Sequence, residues 1–383
     1  MPFAASLSEH PDVREATAEV AGHLLEVLGP SPDLVVLFVT GPHVPRLADI
    51  AATVQHLLQP GAFIGTTAVS VLGGDREVEQ QPAISLWGGR LGPVQAVRLD
   101  AVRTADGMAI VGVEPGQLDA AGTLLLLADP TSFPVDDFVD AIARDHPHIA
   151  VIGGMASAGF GPGANGFVLG GVVHDDGAVG VLLDPGQIVS SVVSQGCRPI
   201  GDPFVVTKAE RNVIQEIAGR PALSRLDDLF GSLPEEERGL VQHGLHIGRV
   251  IDEHKLEFTR GDFLVRNVTG ADRASGSLSI GEVIEVGATV QFHVRDAASA
   301  DEDLRELLAG HEADGALVFT CNGRGIRLFG EPDHDAELVD RIVDGDGTAG
   351  MFCAGEVGPV GARSFMHGFT ASIALFRDPP GST

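Results

Sequence analysis

The residues with the clearest chemical potential lie in a short loop that follows an apolar run. That run ends at Cys321, and the loop "CNGRGIR" continues to Arg327. A cysteine thiolate can act as a nucleophile, and an arginine can clamp the oxygens of a phosphate or a carboxylate. The Cys-x5-Arg spacing is therefore compatible with a thiol enzyme. The glycines on either side of Arg324 equally allow the backbone to approach a bound ligand closely.

The enzymatic interpretation needs supporting residues that this loop lacks. In protein-tyrosine phosphatases a histidine precedes the cysteine and a Ser or Thr follows the arginine, whereas this chain has Thr320 and Leu328. Gly330 and Pro332 are expected to break the helix whose N-terminus would hold the phosphate. We therefore expect the thiol of Cys321 to pack as a small apolar group at a strand end, in a loop that binds rather than catalyses.

Other candidate clusters are weaker. The two histidines beside Pro147 and the Asp-His-Asp run at 333–335 lie in a loop or at a helix start, without partners at metal-ligand spacing. We expect solvated polar residues there and no metal site. The chain has no Walker loop, and the glycines at 159–163 lack dinucleotide-binding spacing, so no cofactor is expected. The cysteines lie too far apart in sequence for a zinc set or a disulfide framework.

The charge of the chain excludes several classes of partner. Its 383 residues carry a formal net charge of −28. Such a field repels phosphate backbones and anionic lipids, so we expect neither nucleic acid nor a membrane surface as a partner. The N-terminal residues show no basic region followed by a long apolar core, and no apolar run approaches the ~18 residues of a membrane span. These features predict a cytoplasmic protein.

Three copies of one pattern position the loops. Continuous apolar runs predict buried strands at 33–40, 123–129 and 315–321, each followed by a helix and a second strand that ends in glycines. The helices are predicted at 44–58, 135–145 and 335–343, and the second strands at 62–67, 149–159 and 349–361. Such units predict an α/β fold with mixed β-sheets covered by helices. Ligands bind at strand ends in these folds, so the glycine turns and the loop at 321–327 should converge on a cleft.

Alignment within the third copy makes a specific prediction. Cys321 and Cys353 each end an apolar run just before the chain turns. We therefore expect them to end neighbouring strands of one sheet. A cytoplasmic compartment would keep both as thiols.

The length of the chain predicts two domains. A polar stretch interrupted by proline at 220–248 is expected to join them, and helical spacing predicts a short helix at 209–219. The repeated strand–helix–strand pattern occurs on both sides of this join. Residues 1–205 and 222–383 are therefore each expected to form their own core.

The ordered loops of this chain resemble those of FIST-domain proteins. "VVLFVTG", "FIGTTAVSVLGG", "HIAVIGGMASAG" and "GVVHDDGAVGVLL" resemble the N-terminal half of the family. "ADGALVFTCNGRGIRLFG" and "GMFCAGEVGPVGARSFMHGFTASIALF" resemble its C-terminal half. The resemblance runs from about Leu34 to Phe376. In its "TCNGRG" loop the chain is most similar to the F-box-associated branch, although no F-box is expected here.

The resemblance implies a FIST_N-like domain at 1–205, a connecting helix region at 206–221 and a FIST_C-like domain at 222–383. Members are regarded as intracellular sensory modules of signal transduction. The implied ligand is a small molecule, an amino acid or another carboxylate, in a cleft between the two related halves. A signalling protein is the implied partner, and no enzymatic activity is implied.

The resemblance also implies roles for particular residues. Asn322 and Arg324 would donate to an anionic group. Glu356 would pair with a ligand ammonium or with Arg324, and His367 would line the pocket. The complete set of expected ligand-binding residues is Cys321, Asn322, Gly323, Arg324, Gly325, Cys353, Gly355, Glu356, His367, Gly154, Ser157 and Thr66. Two other functions stay open, namely a thiol-dependent enzyme that uses Cys321 with His367, and a protein-interaction scaffold.

Overall fold

A computed structural model describes residues 2–104, 107–185 and 187–378 of the chain. Its helices are α1 (Val13–Leu28), α2 (Leu47–Leu58), α3 (Pro115–Ala120), α4 (Val135–Asp145), α5 (Ala222–Ser232), α6 (Glu235–His243), α7 (Ala297–Leu308), α8 (Ile326–Phe329) and α9 (His334–Asp340), with 3₁₀ turns at Gly41–Arg46 and Arg260–Asp262.

The strands run through the whole described chain. They are β1 (Phe3–Ser8), β2 (Leu34–Thr40), β3 (Ala62–Ala68), β4 (Ser70–Gly73), β5 (Arg76–Glu79), β6 (Ile84–Gly89), β7 (Gln95–Thr104), β8 (Gly107–Val111), β9 (Thr123–Ala128), β10 (Ala150–Met155), β11 (Phe167–Leu169), β12 (Val172–His174), β13 (Ala178–Leu183), β14 (Ile188–Gln195), β15 (Cys197–Glu210), β16 (Val213–Ile217), β17 (Arg220–Pro221), β18 (Leu245–Val250), β19 (Phe263–Asp272), β20 (Ser277–Ile280), β21 (Thr289–Arg295), β22 (Gly315–Cys321), β23 (Thr348–Cys353), β24 (Glu356–Val360), β25 (Arg363–His367) and β26 (Thr370–Arg377).

The three predicted strand–helix–strand copies are confirmed. Strands β2 and β3, β9 and β10, and β22 and β23 are parallel pairs, and their crossovers carry α2, α4 and α9. Every residue of β2, β3, β9 and β23 is buried. Burial on both faces explains why these strands are continuous apolar runs rather than alternating ones.

The chain divides into two compact units with different boundaries from the two sequence halves. Unit 1 comprises residues 1–193 and 304–383, and unit 2 comprises residues 194–303. Unit 1 holds three mixed sheets, with strand orders β1-β6-β2-β3-β11-β12, β25-β24-β10-β9-β13-β7-β8 and β14-β26-β22-β23-β4-β5. Helices cover these sheets, so the predicted α/β class with mixed sheets is confirmed.

The core of unit 1 explains why its two segments belong together. One buried cluster contains Phe38, Leu127 and Phe319, which occupy equivalent positions in the first strand of each copy. The third sheet pairs β23 with β4, so Met351 lies opposite Val71. Strands β4 and β5, from the first segment of unit 1, thus lie in the same sheet as β22, β23 and β26, from its second segment. Separate cores for 1–205 and 222–383 therefore do not describe this fold.

Unit 2 is built around a sheet that closes on itself. Its strand order is β15-β21-β18-β19-β20-β16-β17, and β15 also pairs with β16. The enclosed core includes Ile200, Ile247, Leu278 and Phe292. Closure satisfies the edges of most of these strands within the unit.

The helix predicted at 209–219, within the connecting region 206–221, is wrong. Residues 210–213 form a tight hairpin between β15 and β16, in which Arg211 adopts a left-handed φ of 53°. Strand β16 pairs with β15 on one side and with β20 on the other. Its Ile214 and Ile217 are buried in the core of unit 2. Pairing on both edges thus outweighs the helical spacing of these residues.

Candidate functional site

The candidate site lies in unit 1, where β22 and β23 end. The register of this parallel pair places Cys321 directly opposite Cys353, which confirms the predicted neighbouring strand ends. The amide of Asn322 donates to the Cys353 carbonyl at 3.0 Å and continues the ladder by one residue. Cys353 is fully buried and Cys321 half-buried, and both are thiols.

The loop after Cys321 is a tight turn held from a distant strand. The Arg324 amide donates to the Cys321 carbonyl at 2.8 Å. Gly325 has a φ of +67°, and a Cβ there would collide with the carboxylate of Glu79 on β5. Oε1 of Glu79 accepts a hydrogen bond from the Ile326 amide at 2.7 Å. A glycine is therefore required at 325, and Glu79 fixes the start of α8.

The guanidinium of this loop points inward. Arg324 and Asp335 are both completely buried and form a bidentate pair, with Nε–Oδ2 at 2.7 Å and Nη2–Oδ1 at 2.8 Å. The Thr320 hydroxyl also donates to Asp335, at 2.6 Å. Burial alone would raise the pKa of Asp335, but the charge and hydrogen bonds of Arg324 hold that pKa well below its usual value. Asp335 is thus an anion that neutralises Arg324.

This arrangement corrects the expectation of solvated residues at 333–335. His334 and Asp335 are buried at the start of α9, with the ring of Phe329 stacked on His334 at a centroid distance of 3.4 Å. Asp335 lies among the buried residues of α9 with Leu338 and Val339. A carboxylate tolerates that position because Arg324 and Thr320 supply its hydrogen bonds.

Glu77, from β5, is a second buried carboxyl that the sequence did not suggest. Its Oε1 accepts hydrogen bonds from the amides of Asp335 and Ala336, at 3.0 and 3.1 Å. Its own amide donates to Asp333 at 2.6 Å. Burial, followed by the negative charge of Asp335, raises the pKa of Glu77 to about 8.

Glu356 is the third buried carboxyl. It begins β24, where its register partners are Gly154 on β10 and His367 on β25. Its Oε2 accepts from the amide and the hydroxyl of Thr370, at 3.1 and 2.8 Å. Burial raises the pKa of Glu356 to about 8, although the hydrogen bonds of Thr370, the charge of Arg324 and a hydrogen bond with Cys321 act in the opposite direction.

The expected pairing of Glu356 with Arg324 is only electrostatic. Arg324 feels the charges of Asp335, Cys321 and Glu356, in that order, but its hydrogen bonds go to Asp335. His367 has its Nε2 within 2.9 Å of the Gly358 carbonyl, inside the hairpin of β24 and β25. It therefore supports the strand that carries Glu356.

Arg324, Asp335, Asn322, Glu356 and Glu77 form what we call the polar cluster. Considering only the described residues, four of its side-chain atoms are buried without a hydrogen-bond partner, namely Arg324 Nη1, Glu356 Oε1, Asn322 Oδ1 and Glu77 Oε2. Each such atom costs about 1–3 kcal/mol unless a ligand or an ordered water satisfies it. The cluster thus combines one donor group with carboxyl and amide oxygens that can accept.

The remaining predicted residues surround the cluster or hold its strands. Gly154 faces the sulfur of Cys353 so closely that a Cβ would collide with it, and the Gly355 carbonyl accepts from the Met155 amide at 2.8 Å. Gly323 is half-buried within the loop. These positions therefore permit close approach of backbone and side chains.

Ser157 joins the ends of all three copies. Its hydroxyl donates to the Phe352 carbonyl at 2.6 Å and accepts from the Val69 amide at 3.0 Å, while its amide donates to the Thr67 carbonyl at 3.2 Å. Thr66 is buried and donates to the Gly166 carbonyl at 3.1 Å. The glycine turns therefore converge, but Ser157 and Thr66 hold backbone rather than point polar atoms at the cluster.

The geometry does not support the Cys-x5-Arg interpretation of the loop. Arg327 is exposed, and the buried guanidinium of the loop belongs to Arg324. Helix α8 has four residues and ends at Gly330 in a left-handed conformation. The amide of Ile326 at its start is already bonded to Glu79. A phosphate cradle would need a longer helix, this amide and a nearby arginine.

Two further findings concern the part of the chain that the structure describes. Within residues 2–104, 107–185 and 187–378, no cluster of His, Cys, Asp and Glu has an arrangement that could hold a metal ion. Over the same residues, none of the helices combines the length and the apolarity needed to cross a membrane.

Comparisons with known proteins cover almost the whole chain. The model of the FIST N domain matches residues 33–220, and that of the FIST C domain matches residues 222–359. The uncharacterized Mycobacterium tuberculosis protein Rv0628c is 44% identical over 385 residues, which cover 99% of this chain and 100% of that protein. The uncharacterized Mycobacterium bovis protein Mb0898c is 44% identical over 375 residues, which cover 96% of this chain and 97% of that protein.

Proposed function

Because this chain belongs to the FIST family, whose domains are associated with sensory and signal-transduction functions, we propose that it is a sensory module that binds a small ligand at its polar cluster. The ligand is an amino acid or a closely related molecule with a carboxylate and an amine. The module acts in the cytoplasm, where the bound state is transmitted to a signalling protein.

The observation that carries this proposal is the set of buried polar atoms that lack partners among the described residues. Nη1 of Arg324 is a donor, while Oε1 of Glu356 and Oδ1 of Asn322 can accept. A ligand carboxylate would accept from Arg324. A ligand ammonium would donate to Asn322 and, because a nearby positive charge favours the ionised carboxylate, to Glu356. Such contacts would remove the desolvation cost of all three atoms.

The charges of the cluster favour a ligand with both groups. Before a ligand binds, Asp335 neutralises Arg324, and the raised pKa of Glu356 leaves its carboxyl mostly protonated at neutral pH. The site therefore has little net charge. A zwitterionic ligand adds no net charge to the site. A simple anion or cation would add an unpaired charge, and the burial of an unpaired charge is energetically costly.

Residues of both sequence halves meet around the polar cluster, which supports a ligand held between them. Glu77 and Gly154 come from the N-terminal half, and Arg324 and Glu356 from the C-terminal half. The loop residues Cys321, Asn322 and Gly323 are only partly buried. We infer that the ligand enters past this loop.

A thermal-shift screen of the full-length protein tests the proposal. The probes are the amino acids, with matched sets of simple carboxylates and simple amines, and each hit is followed by calorimetry. We expect an amino acid to raise the melting temperature and to be recovered unchanged. Asn322→Ala should weaken its binding about tenfold or more, equivalent to about 1.4 kcal/mol. Arg327→Ala is the matched control, because this exposed arginine lies in the same loop.

The other outcomes contradict the proposal in distinguishable ways. Conversion of a hit into a new compound would support a thiol enzyme, above all if Cys321→Ser abolished turnover in a folded protein. The absence of a shift with every small molecule would support a protein-interaction scaffold. Equal loss of binding in Asn322→Ala and Arg327→Ala would place the ligand outside the cluster.

A further inference from the structure

The two cysteines at the strand ends have a relationship that ligand binding does not require. Cys321 and Cys353 are register partners on adjacent parallel strands, so their side chains leave the same face of the sheet. Adjacent strands lie about 4.8 Å apart, and disulfides join Cα atoms about 4.4–6.8 Å apart. The strand register therefore places the two Cα atoms at a separation that a disulfide can span.

The two thiols differ in access. Cys321 is half-buried and opens the loop, whereas Cys353 is completely buried behind it. Cys321 lies near polar groups, because it interacts electrostatically with Arg324 and hydrogen-bonds the side chain of Glu356. An oxidant arriving from solvent thus meets Cys321 first, and Cys353 is its immediate neighbour.

We propose that Cys321 and Cys353 are a reversible redox pair that a hydroperoxide converts into a disulfide. The pair needs no ligand to react, although Cys321 belongs to the loop past which the ligand proposed above would enter. Hydrogen peroxide, the simplest hydroperoxide, is small enough to reach a half-buried sulfur. The pair would make the chain responsive to oxidants as well as to its ligand.

The chemistry balances in two steps. In the first, the Cys321 thiol attacks one peroxide oxygen, the O–O bond breaks, and the products are Cys321 sulfenic acid and water. In the second, the sulfur of Cys353 attacks the Cys321 sulfur, the S–O bond breaks, and the leaving hydroxide takes the Cys353 proton to form a second water. The pair loses two electrons and the peroxide gains them.

The environment of each sulfur indicates which cysteine reacts first with the peroxide. Burial and then the neighbouring Glu356 raise the pKa of the Cys353 thiol well above its usual value, so this sulfur stays protonated. It is therefore the resolving thiol rather than the first to react. Its sulfur packs against Gly154, and bond formation must draw it toward Cys321. A disulfide that disturbs packing in this way is readily reduced, as a reversible switch requires.

Peptide mapping of the full-length protein tests the pair directly. Reduced protein is treated with a small excess of hydrogen peroxide, its remaining thiols are alkylated under denaturing conditions, and the digest is analysed by mass spectrometry. We expect a linked peptide that joins Cys321 to Cys353, with Cys197 alkylated. Treatment with dithiothreitol should restore alkylation at all three cysteines.

Variants separate the two sulfurs. Cys353→Ala removes the resolving thiol, so Cys321 should then be trapped as a sulfenic acid by a cyclic diketone. Cys197→Ser is the matched control, because Cys197 is buried in unit 2, and it should leave the linked peptide unchanged. If Cys353→Ala does not fold, peptide mapping of the natural protein still shows whether the Cys321–Cys353 disulfide forms.

Three results would overturn the proposal. One is peroxide treatment that leaves all three cysteines alkylated. Another is a Cys321 sulfenic acid that persists in the natural protein without a linked peptide. The third is a Cys321 disulfide that forms only between two copies of the chain.

Discussion

Arg324 and Asp335 form a bidentate ion pair in which neither side chain has any exposure to solvent. The pair links the loop after β22 to the first turn of α9. Two charges removed from water are stable only while each satisfies the other. The ion pair therefore holds the loop in its inward conformation, and removal of either side chain would leave the other charge buried and unpaired.

Removing the arginine alone should be costly. Arg324→Ala leaves Asp335 buried without its counter-ion, and we expect a loss of about 3–5 kcal/mol in the free energy of unfolding. The double variant Arg324→Met/Asp335→Leu should recover much of that loss, because apolar side chains need no partner. Urea unfolding measures both. Arg327→Ala, exposed in the same loop, should stay within about 0.5 kcal/mol of the natural protein, and an equally stable Arg324→Ala would refute the buried pair.

The raised pKa of Glu356 leads us to expect that the free energy of unfolding decreases as the pH rises toward 8. Its pKa in the fold is about 8, above the usual value of 4.5, chiefly because of burial. The folded state therefore holds this proton more tightly, so its stabilising effect is complete below pH 4.5 and is lost as the pH rises toward 8. Glu356→Gln cannot lose a proton and should remove this dependence, at most roughly 1 kcal/mol per pH unit.

Urea unfolding at a series of pH values from 5 to about 9 measures this difference. The advantage of Glu356→Gln over the natural protein should grow as the pH rises. Parallel curves for the two proteins would show that Glu356 is ionised in the fold at neutral pH. Glu77 has a similarly raised pKa, so Glu77→Gln provides an independent repeat at a second buried carboxyl.

Gly154 should be intolerant of any side chain while Cys353 keeps its sulfur. A Cβ at this position would collide with the sulfur of Cys353, and we expect Gly154→Ala to cost about 1–3 kcal/mol. The double variant Gly154→Ala/Cys353→Ala should cost less than the sum of the two single changes, because the clash is gone. Gly231→Ala, in α5 with open space around it, is the control. Additive losses in the cycle would show that the two residues do not contact each other.

Two buried histidines in unit 2 lead us to expect that the free energy of unfolding decreases as the pH falls below 6.5. His246 and His293 are register partners on β18 and β21, and burial lowers the pKa of each to about 4. Both are neutral in the fold, so their stabilising effect is present above pH 6.5 and is lost as the pH falls toward 4. His293→Gln should flatten this fall by up to roughly 1 kcal/mol per pH unit.

The same unfolding series, extended downward from pH 7, checks the histidines. His254→Gln is a matched control because His254 is exposed, and its curve should run parallel to that of the natural protein. An unchanged slope in His293→Gln would mean that the His293 ring accepts a proton within the fold.

The sequence predicts those features that depend on local pattern. Apolar runs that contain Phe38, Leu127 and Phe319 locate the parallel strands, because strands buried on both faces do not alternate between apolar and polar residues. The same pattern places Cys321 beside Cys353, since equal positions in a repeated unit fall at equal positions in a sheet. The glycines around Arg324 likewise identify a tight turn.

Features that depend on distant partners are not predictable in this way. Glu77 and Glu79 lie on a short strand and accept hydrogen bonds from amides some 250 positions later in the chain. Nothing near them in the sequence indicates burial. Asp335 did leave a signal, because it shares the buried face of α9 with Leu338 and Val339. The division into units was hidden as well, since it depends on the pairing of β4 with β23.

The discontinuity of unit 1 has a consequence during synthesis on the ribosome. Strands β22, β23 and β26, which complete one of its sheets, are translated only after the whole of unit 2. At about 5–20 residues per second, the intervening roughly 110 residues delay them by about 5–20 s. Throughout that interval β4 and β10 have emerged without partners that come later in the chain, and such unpaired edges are prone to association. The nascent chain should therefore need chaperone protection until its last 80 or so residues appear.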